Sequence, residues 1–140
     1  MRMSEKTKHI QSSGKRKSAI ARAVLTYPAK GQIKINNVPI DIYEPKIARY
    51  RIQEVLGVIN HPKVEKCDID INVTGGGKMS QTDAVRIAIA KSINKFIGTK
   101  AIEKIFREYD EALLSGDSRR TEPKHFGGKK ARARRQKSFR

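Results

Sequence analysis

Acidic residues are scarce in this chain: 14 Asp and Glu stand against 31 Lys and Arg in 140 residues, a formal charge of +17. Charge of that size exceeds what solubility requires and repels itself, so an anionic partner is implied: nucleic acid, an acidic protein or anionic lipid. Long apolar runs are also missing. No stretch approaches the ~18–20 residues that a membrane helix needs. The opening Met1-Arg2-Met3-Ser4-Glu5-Lys6-Thr7-Lys8-His9 has no apolar region of the kind a secretory signal uses. A cytoplasmic location is expected. Cys67 is the one cysteine, which excludes an intramolecular disulfide and a clustered zinc site; a buried, idle thiol is the expectation. His9, His61 and His125 show no mutual metal spacing, and no His accompanies Cys67 or a Ser in a nucleophile motif. No catalytic residue, metal or cofactor is expected.

What is present is enough for one modest core: 37% of the residues are hydrophobic in a 15.8 kDa chain. The charge sits at the ends. Residues 1–24 carry +6, residues 129–140 carry +7 without a single acid, and the long middle carries +4. A near-balanced middle with cationic extensions is the pattern of a folded domain whose arms run along phosphate backbones. The expected organisation is a flexible basic N-terminus over 1–13, a globular body over 14–116, a linker over 117–128 and a basic tail over 129–140 that is disordered when free.

Periodicity fills in the body. Ser18 to Tyr27 mixes Ala19, Ile20, Ala21, Val24 and Leu25 with Arg22 and reads as a strand buried on most of both faces, its alanines admitting a close neighbour. Ile33 and Ile35 alternate with polar residues, and Asn36-Asn37 turns the chain back into Val38 and Ile40. From Pro45 to Ile59 the apolar residues Ala48, Ile52, Val55, Leu56 and Ile59 fall at helical spacing. Asp68 to Thr74 alternates, with Ile69, Ile71 and Val73 on one face. After Gly75-Gly76-Gly77, Ser80 and Asp83 resemble a capping box opening a helix with Val85, Ala88, Ile89, Ile93, Phe96 and Ile97 on one stripe and a stop at Gly98. Thr99 can cap a further helix carrying Ile102, Ile105, Phe106, Tyr109 and Leu113 up to Gly116. The sum is an α+β fold: one sheet with helices packed on one face.

Gly75-Gly76-Gly77-Lys78 at a strand-to-helix junction can cradle a phosphate. It is not a Walker loop: Asn72 stands where the first Gly belongs, and Met79 follows Lys78 in place of the magnesium-binding hydroxyl. Asp68 and Asp70 share a strand face with no third metal ligand in sight. In the tail, Arg132, Arg134 and Arg135 can fork onto phosphate oxygens, Lys129, Lys130 and Lys137 add point charges, and Phe139 can stack on an unpaired base. Lys15, Arg16 and Lys17 repeat the theme ahead of the first strand, with Arg22 inside it. Lys46, Arg49, Arg86, Lys91 and Lys95 read as a solvated helix face. An enzyme built on the glycine loop and a free chromatin-type or RNA-coating protein are the rival readings.

Three separated stretches together resemble one family. They are Gly14-Lys15-Arg16-Lys17-Ser18-Ala19-Ile20-Ala21-Arg22-Ala23; Gly75-Gly76-Gly77 with Ser80-Gln81 and Ala84-Val85-Arg86; and Tyr109-Asp110, then Asp117-Ser118-Arg119-Arg120-Thr121-Glu122-Pro123-Lys124, closing with Ala131 to Arg140. The chain is similar to the universal small-subunit ribosomal protein family numbered nine, in its archaeal and eukaryotic-cytosolic branch. Ser80 and Phe139 depart from the family pattern, standing where many relatives have Gly and Tyr.

The resemblance implies a mixed sheet backed by helices, like the second domain of ribosomal protein five, with a left-handed βαβ crossover. It implies a place in the head of the small subunit, with ribosomal RNA and neighbouring ribosomal proteins as partners. It also implies a C-terminal tail that threads through ribosomal RNA to the anticodon stem-loop of peptidyl-site tRNA. By that match Lys129, Lys130, Arg132, Arg134 and Arg135 thread through ribosomal RNA, and Lys137, Ser138, Phe139 and Arg140 lie nearest the tRNA; Lys15, Arg16, Lys17, Arg22, Gly75, Gly76 and Gly77 are read as further ribosomal-RNA contacts.

Overall fold

A computed structural model describes residues 7–138. Its centre is a mixed five-stranded sheet in the order β1-β2-β5-β3-β4. Strand β1 (Lys8–Arg16) pairs antiparallel with β2 (Ala19–Tyr27), and β2 pairs antiparallel with β5 (Asp68–Thr74). Strand β3 (Ile33–Ile35) lies parallel to β5 and makes a hairpin with β4 (Val38–Pro39). Both hairpin-turn residues have positive φ, 48° at Asn36 and 67° at Asn37, the geometry that matches strand twist and that Asn tolerates. The Asn36 amide then exchanges two hydrogen bonds with the Val73 backbone, at 2.9 and 3.1 Å, and so ties the hairpin to β5. A 3-10 turn (Ile40–Ile42) leads into α1 (Lys46–Val58), which completes the crossover from β3 to β5. Helices α2 (Lys78–Ile97), α3 (Lys100–Tyr109) and α4 (Ala112–Ser115) follow.

One sheet face is closed. Ala19, Ala21, Ala23 and Leu25 of β2, Ile35 of β3, and Ile69, Ile71 and Val73 of β5 are buried against Val85, Ala88, Ile89 and Ile93 of α2, with Ile52, Val55 and Phe106 from the neighbouring helices. Full burial of a Leu, Ile or Phe contributes about 1.5–3 kcal/mol each. The small residues of β2 and β1 set the depth at which α2 lies, since Ser12 donates to the Ala88 carbonyl at 2.7 Å.

The other face is open, which corrects the reading of β2 as buried on both sides. Arg22 is exposed, and Ile20, Val24 and Thr26 are half-buried. Alternation of small and large apolar residues does not by itself say whether a second layer exists. The ordered sheet also starts earlier than the expected boundary at 14, because β1 begins at Lys8 within the stretch read as a flexible extension.

Helix ends differ in detail. Gly77, in extended conformation, is the N-cap of α2, and the helix starts at Lys78 without a side-chain cap, so Ser80 lies inside it and the expected capping box is absent. The glycine turn sets the start before Ser80 is reached. Thr99 holds the N-cap position of α3, but its hydroxyl donates to the Ile97 carbonyl at 3.4 Å and caps nothing. The single helix expected through Leu113 breaks at extended Asp110, whose carboxylate accepts from the Ala112 amide at 2.9 Å and restarts the chain as α4. Leu113 stays buried. Helix α1 and the Gly98 stop, left-handed at φ 63°, lie where periodicity put them.

Candidate nucleic-acid interface

The first basic element is the tight turn joining β1 to β2. Lys17 sits in it at φ 52°, and Lys15 and Lys17 are exposed. The triple glycine lies directly behind this turn. A Cβ on Gly75 would come 2.5 Å from the Ser18 carbonyl oxygen, and one on Gly76 would come 3.0 Å from the Ala19 nitrogen, with φ 75° and 67° at the two positions. Glycine is required there for close approach and positive φ. The turn and the glycines are brought together, and Gly75 and Gly76 lie against Ser18 and Ala19, which disfavours the phosphate cradle of an enzyme. Gly77 is clear of neighbours and opens the helix. Asp68 does not behave as half of a metal pair; its carboxylate accepts from the Lys30 and Gln32 amides at 3.1 and 2.8 Å and shapes the loop before β3.

Arg16 is placed differently from its neighbours. Its guanidinium lies 3.3 Å from the Asp117 carboxylate and donates to the Arg119 carbonyl at 2.9 Å, with both acidic and basic side chains largely covered. Asp117 also takes the Arg119 guanidinium at 2.7 Å and the Arg119 amide at 2.9 Å. These hydrogen bonds from Arg119, with the charges of Arg119 and Arg16, hold the Asp117 carboxyl far below the usual carboxylate range. A depressed folded-state value stabilises at every pH above the unfolded value of about 3.9, and that contribution is lost only as pH falls through the folded value. The clasp is therefore complete at neutral pH. It fastens the end of β1 to the start of the C-terminal segment and fixes where that segment leaves the body. Asp117→Asn is expected to speed tryptic cleavage at Arg119 and Arg120 several-fold while the melting temperature of the body moves by less than about 2 °C, a surface-sized change. Unchanged cleavage would remove the anchoring role.

Arg22 stands on the open sheet face, in register with Ser13 on one side and Asn72 on the other. It lines a shallow trough of about 580 Å³ together with Lys34, Asn36, Asn37, Asp70 and Asn72. The helix-face basics are not uniformly solvated, and here the sequence reading is corrected. Arg86 is 12% exposed and reaches Glu54 of α1 and Asp83 of α2, each at 3.8 Å; its Nε is buried with no hydrogen-bond partner among the described residues. Arg51 pairs with Asp83 at 3.1 Å, and the Tyr109 hydroxyl donates to Glu54. The bond to Glu54, with partial burial and the Glu54 charge, raises the Tyr109 pKa against the opposing pull of Arg86. Arg49 turns inward onto the Tyr43 carbonyl, and Lys95 donates to the Gln11 carbonyl. These cations lock helices and strands together. Cys67 is buried and donates to the Lys63 carbonyl, and burial, with the Asp68 charge, pushes its thiol up to about 11, so it is inert at neutral pH.

Beyond α4 the chain has no helix or strand through residue 138, and an isolated bridge between Gly128 and Arg134 folds it once on itself. Lys129, Lys130, Arg134, Arg135, Lys137 and Ser138 are exposed. Arg132 forks onto Glu122 at 2.9 and 2.6 Å, which raises its pKa. An exposed, solvent-screened pair of this kind contributes little to stability, so a phosphate can displace Glu122 at small cost. Phe126 is fully exposed, an aromatic offered for stacking that the sequence reading missed; its signal is an aromatic residue between His125 and Gly127-Gly128 in a cationic segment. The expected sites Phe139 and Arg140 lie outside the described residues.

Comparison with known proteins agrees with this anatomy. A family model described as ribosomal protein S9/S16 matches residues 14–140. Among similar proteins, the small ribosomal subunit protein uS9 of Desulfurococcus amylolyticus is 47% identical over 99% of this chain and 97% of its own length. The uS9 proteins of Methanothrix thermoacetophila and Candida albicans are 46% and 45% identical over 95% and 96% of this chain, each covered over 99% of its own length. With the family model spanning the body and the basic tail, and relatives matched over nearly their whole length, the chain belongs to the ribosomal protein S9/S16 family and is a structural ribosomal protein rather than an enzyme.

Proposed function

We propose that this structural protein of the small ribosomal subunit holds ribosomal RNA through its basic turn, its open sheet face and its linker, and extends its C-terminal tail to peptidyl-site tRNA at the anticodon stem-loop. The observation that carries the reading is the exposed cationic segment launched from a rigid body: residues 117–138 form no core of their own, yet their departure point is clamped by Arg16 and Asp117. A segment of that composition gains its shape from the anion it meets, and phosphate contacts give it affinity without base reading. Lys129, Lys130, Arg132, Arg134 and Arg135 then line the RNA path. Lys137 and Ser138, followed by Phe139 and Arg140, come nearest the tRNA. Lys15, Lys17 and Arg22 meet ribosomal RNA from the body, while Arg16 acts through the linker and Gly75, Gly76 and Gly77 shape the turn behind Lys17.

The specificity of such a tail comes from where it starts and how far it extends. The fold serves this by placing the clasp at the first residues of the linker. A photo-crosslinking amino acid at Ser138, in small subunits carrying peptidyl-site tRNA, is expected to capture the anticodon stem-loop. Adducts confined to ribosomal RNA or protein would contradict the tRNA contact and leave the RNA-holding role standing.

A further inference from the structure

The chain as a whole is strongly cationic, but the stretch from Val38 to Tyr50 carries no net charge. Ile42, Ile47 and Tyr50 are 66%, 64% and 66% exposed, and Val38 is 38% exposed. These four account for half of the large apolar side chains exposed among the described residues, and they lie within one short stretch running from β4 through the 3-10 turn into the first turns of α1. Ile47 and Tyr50 are three apart on α1 and share a helix face. Arg49, between them in sequence, turns its guanidinium back onto the Tyr43 carbonyl at 3.2 and 3.3 Å and so fixes the segment carrying Ile42 against the start of the helix. The corner is not an unfinished core, because Ile40, Ala48 and Ile52 on its inner side are already buried.

Its charge distinguishes it from the RNA-facing parts. Between Val38 and Tyr50 the acids Asp41 and Glu44 balance Lys46 and Arg49, and both acids are exposed. Exposed carboxylates repel phosphate, and Ile and Val offer a nucleic acid no hydrogen bond. A second copy of the chain, carrying the same +17, is disfavoured by repulsion. We infer that the corner formed by Val38, Ile42, Ile47 and Tyr50 is the docking surface for another protein of the small subunit, one that presents apolar side chains with Lys or Arg beside them to answer Asp41 and Glu44 and a carboxylate to answer the exposed Lys46. Tyr50 is its aromatic anchor, and the rigid attachment through Arg49 keeps the ordering cost of association low.

The inference rests on the small-subunit reading, and one experiment separates the two. Full-length chains carrying a photo-crosslinking amino acid in place of Tyr50, or as a control in place of Lys104 on the solvent side of α3, are assembled into small subunits and purified by sedimentation. Co-sedimentation of both tests the subunit reading on its own. After irradiation, nuclease digestion and mass spectrometry, Tyr50 is expected to give an adduct to a single ribosomal protein, in a segment where Lys or Arg flanks apolar residues, and Lys104 is expected to lack that adduct. A Tyr50 adduct to ribosomal RNA, to a second copy of this chain, or to no protein overturns the docking surface, as does the same adduct from Lys104. Failure of either labelled chain to enter subunits counts against the subunit reading and the docking surface together.

Discussion

Gly14→Ala is expected to destabilise the protein by about 3 kcal/mol, at the upper end of what overpacking costs. A Cβ at position 14 would lie 2.2 Å from the Ala84 carbonyl oxygen and 2.7 Å from the Ala88 amide nitrogen. Both atoms belong to the backbone of α2, so no rotamer change relieves the overlap, and β1 must lift away from the helix. Lifting it stretches the Ser12 hydrogen bond to Ala88 and opens the small-residue layer formed with Ala19, Ala21 and Ala23. Against a typical total stability of ~5–15 kcal/mol this is a large loss, and a fall in Tm of about 10 °C or more should accompany it. Gly57→Ala provides the control. Nothing lies within 4 Å of a Cβ at Gly57, which sits in α1, so that change should stabilise by about 0.5–1 kcal/mol. Equal and small effects at both positions, read by thermal and denaturant melts, would contradict the close β1–α2 contact.

The second large effect concerns RNA affinity. Removing residues 129–140 takes away seven Lys and Arg and no acid. Each cation that neutralises a phosphate contributes about 0.7–0.9 to the slope of log affinity against log salt concentration. If most of the tail cations meet phosphate, the slope for binding small-subunit ribosomal RNA should fall by about 4–5 relative to the full chain. A fall below about 1 would mean that the tail cations stay solvated on the RNA. Arg132→Ala alone should lower the slope by less than about 1, since Arg132 already holds Glu122 and exchanges one anion for another.

The elements legible in the sequence were those with strong internal period: α1 between Pro45 and Ile59, β5 from Asp68 to Thr74, and the Asn36-Asn37 hairpin. Strand β1 was not legible. Lys8-His9-Ile10-Gln11-Ser12-Ser13-Gly14 offers one large apolar residue, and its extended state comes from pairing with β2 and from Ser12 and Gly14 fitting beneath α2. Context of that kind overrides local propensity. The tail was legible as composition, because seven cations in twelve residues require no fold to be noticed. The engagement of Arg16 was not, because the partner carbonyl lies 103 residues away in sequence. Arg86 was misread for a related reason: helical spacing gives the face a side chain occupies but not what the next helix brings to it.

The account separates a body that assembles from a tail that reaches tRNA, and the dissociation of peptidyl-site tRNA from purified small subunits tests that separation directly. Subunits carrying the full chain are compared with subunits carrying a chain that ends before Lys129. The account predicts stoichiometric incorporation of both chains, with tRNA leaving the truncated subunits on the order of 10-fold faster, about 1.4 kcal/mol of lost contact. Full incorporation with an unchanged tRNA dissociation rate would contradict it.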